Sequence, residues 1–196
     1  MIKITLASAS PRRRKLLMQL GLKFDVVASR VKESLSGSDD LEGAIKTLAL
    51  SKARDVADRV KEGLVIAADT VVLYRGEIFG KPKDPAEAKE MLRILSGEIH
   101  EVITGLAVIN AETGKKAVEC VKTRVKMRTL TEDEIEGYVA TGEPSNKAGA
   151  YAIQGRGAAL IESIDGCYYN VVGLPLSKLS EMLNKFEINV LTRIIK

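Results

Sequence analysis

The sequence predicts an α/β fold built on a mixed, partly antiparallel central sheet flanked by helices. Three observations carry this expectation. Strand-like and helix-like patterns alternate along most of the chain, as layered α/β architectures require. Two alternating stretches in the middle, about residues 101–110 and 117–128, flank a turn at 111–115 and read as an antiparallel hairpin, which a purely parallel sheet would not contain. No internal repeat or low-complexity linker interrupts the 196 residues, so one domain over residues 1–196 is expected.

The elements follow in order. Residues 2–7 read as a strand; Pro11 then opens a helix through RRRKLLMQL that Gly21 closes. Residues 24–28 read as a second strand and SRVKESLSGSDD as a loop. A long amphipathic helix is expected over 41–61, with Leu48, Ala49, Lys52, Ala53, Val56, Ala57 and Val60 at helical spacing and Gly63 ending it. LVIAADTVVLY reads as a buried strand pair, or as one strand with a break at Asp69. Asp84, Pro85 and Glu87 supply a cap, a first-turn proline and a capping-box partner for a helix ending near Ser96-Gly97. Thr131 and Glu134 mark another capped helix, to Thr141. Residues 160–164 read as a strand before an Asp165-Gly166 turn, and Pro175 opens a final helix ending near Phe186.

With 45% hydrophobic and 29% charged residues, the chain can build a sizeable core without a disulfide or structural metal. The N-terminal apolar run precedes its basic cluster, the reverse of a secretory signal. No later stretch approaches the ~20 apolar residues of a membrane span. Cys120 and Cys167 fit no metal or redox spacing, so two free thiols in a reducing cytoplasm are expected. The net charge of +4 favours anionic partners, but 26 acidic residues are interleaved with 30 basic ones. Neither a stable nucleic-acid complex nor a membrane partner is expected.

Four stretches carry candidate chemistry. In SASPRRRKLL a strand runs into a Ser-Pro turn and a helix whose first turn holds Arg12, Arg13 and Arg14. Three guanidiniums there oppose the helix dipole, and a polyphosphate would supply the missing negative charge; a solvated basic face is the alternative. Asp69 follows an apolar strand run, where α/β sheets place ligands, and reads either as a functional carboxylate or as a turn cap. Gly80-Lys81-Pro82 puts a lysine in a constrained turn without the P-loop pattern, and a surface lysine is its plainer reading. Residues 146–176 interleave Gly149, Gly155, Gly157 and Gly166 with Lys147, Gln154 and Arg156. Such a segment brings backbone amides close to a ligand, or is simply a glycine-rich structural loop.

His100 is the only histidine, so a Ser-His-Asp or Cys-His triad has one candidate base, and no GxSxG elbow occurs. Histidine-rich zinc sites are excluded. Carboxylates, lysines and arginines remain, the tool set of Mg²⁺-assisted phosphoryl chemistry.

Taken together, LASASPRR, the glutamate of SRVKES, SKA, ADTVV, GKPKD, SGEIHEVITG, KAGAYAIQGRGA and YYNVVGLPL resemble the Maf-like nucleoside triphosphate pyrophosphatases, in the superfamily of inosine triphosphatase. The resemblance spans about residues 2–186. It implies an inosine triphosphatase-like fold with a cleft between two lobes, and hydrolysis of a nucleoside triphosphate to monophosphate and pyrophosphate. The residues matching the family's catalytic set are Ser8, Arg12, Arg13, Glu33, Lys52, Asp69, Lys81 and Gln154, with Asp69 at the position of the proton acceptor. Arg12, Thr70 and Gln154 fall where the family sets its base preference, and KAGAYAIQG resembles the subgroup acting on dTTP and UTP. Lys147 joins the substrate-binding set. A divalent cation, Mg²⁺ or alternatively Mn²⁺ or Co²⁺, is expected on Glu33 and Asp69. The family's association with septum inhibition adds a rival reading, a nucleotide-binding regulator of cell division, and its members tend to form homodimers.

Overall fold

Local signals set most of the helices. The computed structural model describes residues 2–32 and 40–192. In α1 (Pro11–Gln19) proline takes the first turn, the Ser10 side chain accepts from the Arg13 amide, and Leu16 and Leu17 are buried. In α2 (Leu41–Val60) Asp40 accepts from the Gly43 amide at 2.9 Å, and the buried face runs through Ile45, Leu48, Ala49, Lys52, Ala53, Val56 and Ala57. The left-handed cap of α2 is Lys61 (φ 64°), not Gly63. Gly63 is needed for a different reason: a Cβ there would lie 2.3 Å from the Lys3 carbonyl.

The expected strand at 2–7 narrows to β1 (Ile4–Leu6), and that at 24–28 to β2 (Asp25–Val26), both of whose residues are exposed. β3 (Leu64–Tyr74) is one continuous strand. The expected break at Asp69 is absent, and Asp69 lies inside the strand rather than at its end. Arg75 (φ 48°) and Gly76 (φ 83°) then form a two-residue reversal into β4 (Glu77–Phe79), with Tyr74 opposite Glu77.

α3 (Pro85–Leu95) is capped by Asp84 as expected, but the Glu87 carboxylate reaches one residue further back than a capping box, to the Lys83 amide at 2.6 Å. The hairpin is β5 (Ile99–Asn110) and β6 (Lys116–Met127). α4 (Glu132–Ala140) has both halves of the Thr131/Glu134 capping box. β7 (Ile161–Asp165), a short α5 (Tyr168–Val172) and α6 (Leu176–Asn184) complete the described chain, with 3₁₀ turns at Ala148–Ala150 and Gly155–Leu160.

The seven described strands form one sheet in the order β2-β1-β3-β5-β6-β7, with β4 paired to β3 off that path. β1 runs parallel to β2 and β3, while β4 on β3 and β7 on β6 are antiparallel, so the mixed α/β class holds. The chain divides into two compact units: residues 1–69, 104–121 and 173–196, and residues 70–103 and 122–172.

The first unit has a core of small residues, with Ala7, Ala49, Ala53, Ala57, Ala67 and Ala107 beside Val56 and Val65. Small side chains let α2 lie close to the strands. At Gly105 the approach is close, since a Cβ there would sit 2.5 Å from the Ile45 carbonyl. The second unit packs larger residues, among them Phe79, Leu92, Leu95, Met127, Ile135, Tyr138 and Tyr151.

Candidate active site

In the first unit, β1 delivers the chain into the Ser8–Pro11 turn and α1. Ser8, 8% exposed, accepts at Oγ from the Ser10 amide (3.2 Å) and from Arg13 Nη1 (3.4 Å). Arg13 Nε donates to the Gly173 carbonyl at 2.8 Å, which ties the start of α1 to the segment before α6. Arg12 and Arg13 are half-buried and Arg14 is exposed. The first turn of α1 contains no acidic residue of its own, and three guanidiniums lie at the positive end of the helix dipole.

Lys52, on the buried face of α2, and Asp69, inside β3, form an ion pair with side chains only 7% and 8% exposed. Taking each charge out of water carries a penalty of several kcal/mol, and the pair stands because each ion neutralises the other. This also explains why β3 runs on through Asp69. A lone carboxylate would terminate an apolar strand, whereas a carboxylate neutralised by an ammonium group does not have to reach water. Chemically, the pair holds a hydrogen-bond acceptor in a fixed place.

In the second unit, Thr70 follows Asp69 in β3 and is half-buried. Lys81 is exposed just after β4, and the preceding Gly80 carbonyl accepts from the Gly149 amide at 3.0 Å. Lys147 Nζ donates to the Glu143 carbonyl at 2.7 Å. Gln154 is exposed at the start of the 155–160 turn and its side chain makes no capping bond there. Within the units, the structure joins Ser8 to Arg13 and Lys52 to Asp69. Glu33 lies outside the described residues.

Two features escape a reading of the sequence. The amides of Arg156 and Gly157, which the glycine pattern offered to a ligand, instead bind the Glu143 carboxylate at 3.1 and 3.0 Å. His100 is 1% exposed and pairs through Nε2 with the Tyr151 hydroxyl at 2.7 Å. Burial pushes its imidazole down to about 4, so the chain's single histidine is no base for a serine or cysteine nucleophile. Cys120 and Cys167 are free thiols, as expected. Among the described residues no group of three or more His, Cys, Asp or Glu side chains is arranged to hold a metal ion, and no helix is long and apolar enough to cross a membrane.

Fold and site together define a mixed-sheet α/β protein with a basic helix start and a buried lysine–aspartate pair, groups suited to phosphate chemistry. A family model described as Maf-like protein matches residues 3–186, and the chain belongs to that family. It is 49% identical over 193 residues to the dTTP/UTP pyrophosphatase of Alkaliphilus metalliredigens, covering 97% of this chain and 100% of that protein. It is 50% identical over 194 residues to the dTTP/UTP pyrophosphatase of Moorella thermoacetica, covering 99% and 100%. With the dTTP/UTP pyrophosphatase of Pelotomaculum thermopropionicum it shares 52% identity over 191 residues, covering 97% and 100%. Among solved structures it is similar to the Staphylococcus aureus Ham1 protein, at 14% identity and a TM-score of 0.45 over 64% of this chain and 71% of that one, a likeness too distant to bear on function.

Proposed function

We propose that this chain is a nucleoside triphosphate pyrophosphatase that hydrolyses dTTP and UTP to the monophosphate and pyrophosphate, as one Maf-like domain over residues 1–196 working in the cytoplasm as a homodimer. Relatives named for that activity, matched over almost their whole length, support the substrate class. The observation that carries the chemistry is the buried Lys52–Asp69 pair. Stability alone would be served as well by two apolar side chains of similar volume.

In this reading a water oxygen attacks the α-phosphorus and gives its proton to the Asp69 carboxylate. The bond from the α-phosphorus to the bridging oxygen breaks, and pyrophosphate leaves with the electron pair. Lys52 holds Asp69 aimed before the attack. Ser8, Arg12, Arg13, Lys81 and Lys147 bind and neutralise the phosphates; Arg12, Thr70 and Gln154 set the base preference. The donor chemistry fits a divalent cation, because Mg²⁺ asks for only one or two carboxylates besides water and phosphate oxygens. Asp69 would hold it with Glu33, and when bound it supplies charge neutralisation and polarises the phosphate oxygens.

Pyrophosphate release from dTTP, UTP, CTP, GTP and 7-methyl-GTP, with Mg²⁺ and with a chelator, tests this. Metal-dependent release led by dTTP and UTP is the expected result. No release from any of them is what a nucleotide-binding regulator would give, and a lead for GTP or 7-methyl-GTP would refute the pyrimidine assignment.

A further inference from the structure

We propose that Glu143 is a specificity-positioning residue: its carboxylate, coupled to the Tyr138 hydroxyl, sets the backbone conformation in which Gln154 meets the base. The proposal rests on the reading of Gln154 as a base-reading residue and deepens it.

Glu143 follows α4 and is itself fixed. Its amide donates to Thr141 Oγ1 at 3.1 Å, and that hydroxyl donates to the Tyr138 carbonyl at 2.6 Å. The carboxylate then gathers three donors. Oε2 accepts from the Arg156 amide (3.1 Å), while Oε1 accepts from the Gly157 amide (3.0 Å) and from the Tyr138 hydroxyl (3.2 Å). The same Tyr138 oxygen accepts from the Ala152 amide at 3.2 Å. Burial works against the charged form of Glu143, yet the Gly157 and Arg156 amides and the Tyr138 hydroxyl hold its carboxyl below the usual range. Two successive amides converging on one anion form the kind of concavity that binds phosphates elsewhere. Here it is filled by the chain's own carboxylate.

Gln154 lies between these anchors, with Ala152 held on one side and Arg156 and Gly157 on the other. The glycines show how closely the strands of this turn press together. Gly155 has φ +68°, and a Cβ there would lie 2.9 Å from Glu143 Oε2. A Cβ on Gly157 would lie 2.2 Å from the Ala152 carbonyl and 2.6 Å from the Tyr138 hydroxyl. The clamp thus engages only backbone on either side of Gln154, whose exposed side chain caps none of its own turn's amides. The Glu143 carbonyl also receives the Lys147 ammonium at 2.7 Å, so the same residue holds a second polar side chain of this loop.

The test compares kcat and KM for dTTP and GTP in the full-length wild type, Glu143→Ala, Glu143→Gln, Tyr138→Phe, Gln154→Ala and the Glu143→Ala/Gln154→Ala double variant, with thermal melts of each. A misplaced hydrogen-bonding side chain discriminates poorly, so Glu143→Ala should lower the dTTP-over-GTP ratio of kcat/KM by about tenfold, mostly through KM for dTTP. Glu143→Gln, which keeps an acceptor oxygen, should recover part of the ratio. In the Gln154→Ala background, removing Glu143 should narrow the ratio no further. If Gln154→Ala collapses the ratio while Glu143→Ala and Tyr138→Phe slow both substrates alike, the clamp is only structural and the proposal fails. If Gln154→Ala itself leaves the ratio unchanged, the reading of Gln154 fails and takes the proposal with it. Should Glu143→Ala not fold, Glu143→Gln and Tyr138→Phe decide between the same outcomes, since both keep the packing volume.

Discussion

Asp69→Asn removes the carboxylate paired with the buried Lys52 ammonium, and Lys52→Met removes the ammonium paired with the buried Asp69 carboxylate. Both side chains are under a tenth exposed, so solvent screens neither loss. Removing one member of such a pair costs about 3–5 kcal/mol. For a chain of 196 residues, at roughly 2–4 °C per kcal/mol, that is a melting-point drop of about 6–20 °C. Replacing both residues, as Lys52→Met/Asp69→Val, removes both buried charges and should recover most of the stability lost by either single change. Activity should follow another rule. All three variants lose turnover, with Asp69→Asn down by about 10²–10⁴-fold if the carboxylate takes the proton. The assays are urea or thermal unfolding on the three variants and pyrophosphate release at saturating dTTP. Single-variant losses below about 1 kcal/mol that simply add in the double variant would refute the buried-pair energetics. Turnover of Asp69→Asn within about threefold of wild type would refute the proton-acceptor role.

Three further outcomes are expected. Burial holds His100 at about 4, below its value of ~6.5 in an unfolded chain, so as pH falls through this window the unfolded state binds a proton that the folded state refuses. Between pH 7 and 5 the wild type should therefore lose about 2 kcal/mol more stability than His100→Phe; equal pH slopes in urea unfolding would contradict this. Gly105→Ala places a Cβ 2.5 Å from the Ile45 carbonyl. It should push α2 off the strands, costing about 1–3 kcal/mol in unfolding and lowering turnover with the displacement of Lys52; wild-type melting and turnover would mean that α2 tolerates the shift. Lys81→Ala should raise KM for dTTP, whereas Lys61→Ala, at the exposed end of α2, should not, and equal effects would remove Lys81 from the phosphate-binding set.

What the sequence made legible was largely what is local. The Thr131–Glu134 capping box lies within four residues, and the buried stripe of α2 repeats at helical spacing, so both could be read directly. That stripe even contained a signal of the site, because Lys52 falls among its apolar positions. What could not be read was the partner of that lysine, 17 residues away on another element. Without the pair, Asp69 looked like the end of an apolar strand; with it, β3 continues. β4 was missed because Arg75-Gly76 is an unusual choice for a turn that favours Asn-Gly or Asp-Gly. Glu143 was missed for a different reason: its role appears only when Tyr138, Ala152, Arg156 and Gly157 are brought around it by chain reversals that carry no simple spacing.

The start of α1 has a consequence for ionic strength. The first turn of α1 puts Arg12, Arg13 and Arg14 side by side, while Leu16 and Leu17 hold the helix in place. Salt shortens the reach of their charges, from about 30 Å at 0.01 M to about 8 Å at physiological strength. Triphosphate affinity should fall over the same range, because the screened charges are those that attract it. One helix end thus makes occupancy of the site depend on ionic strength.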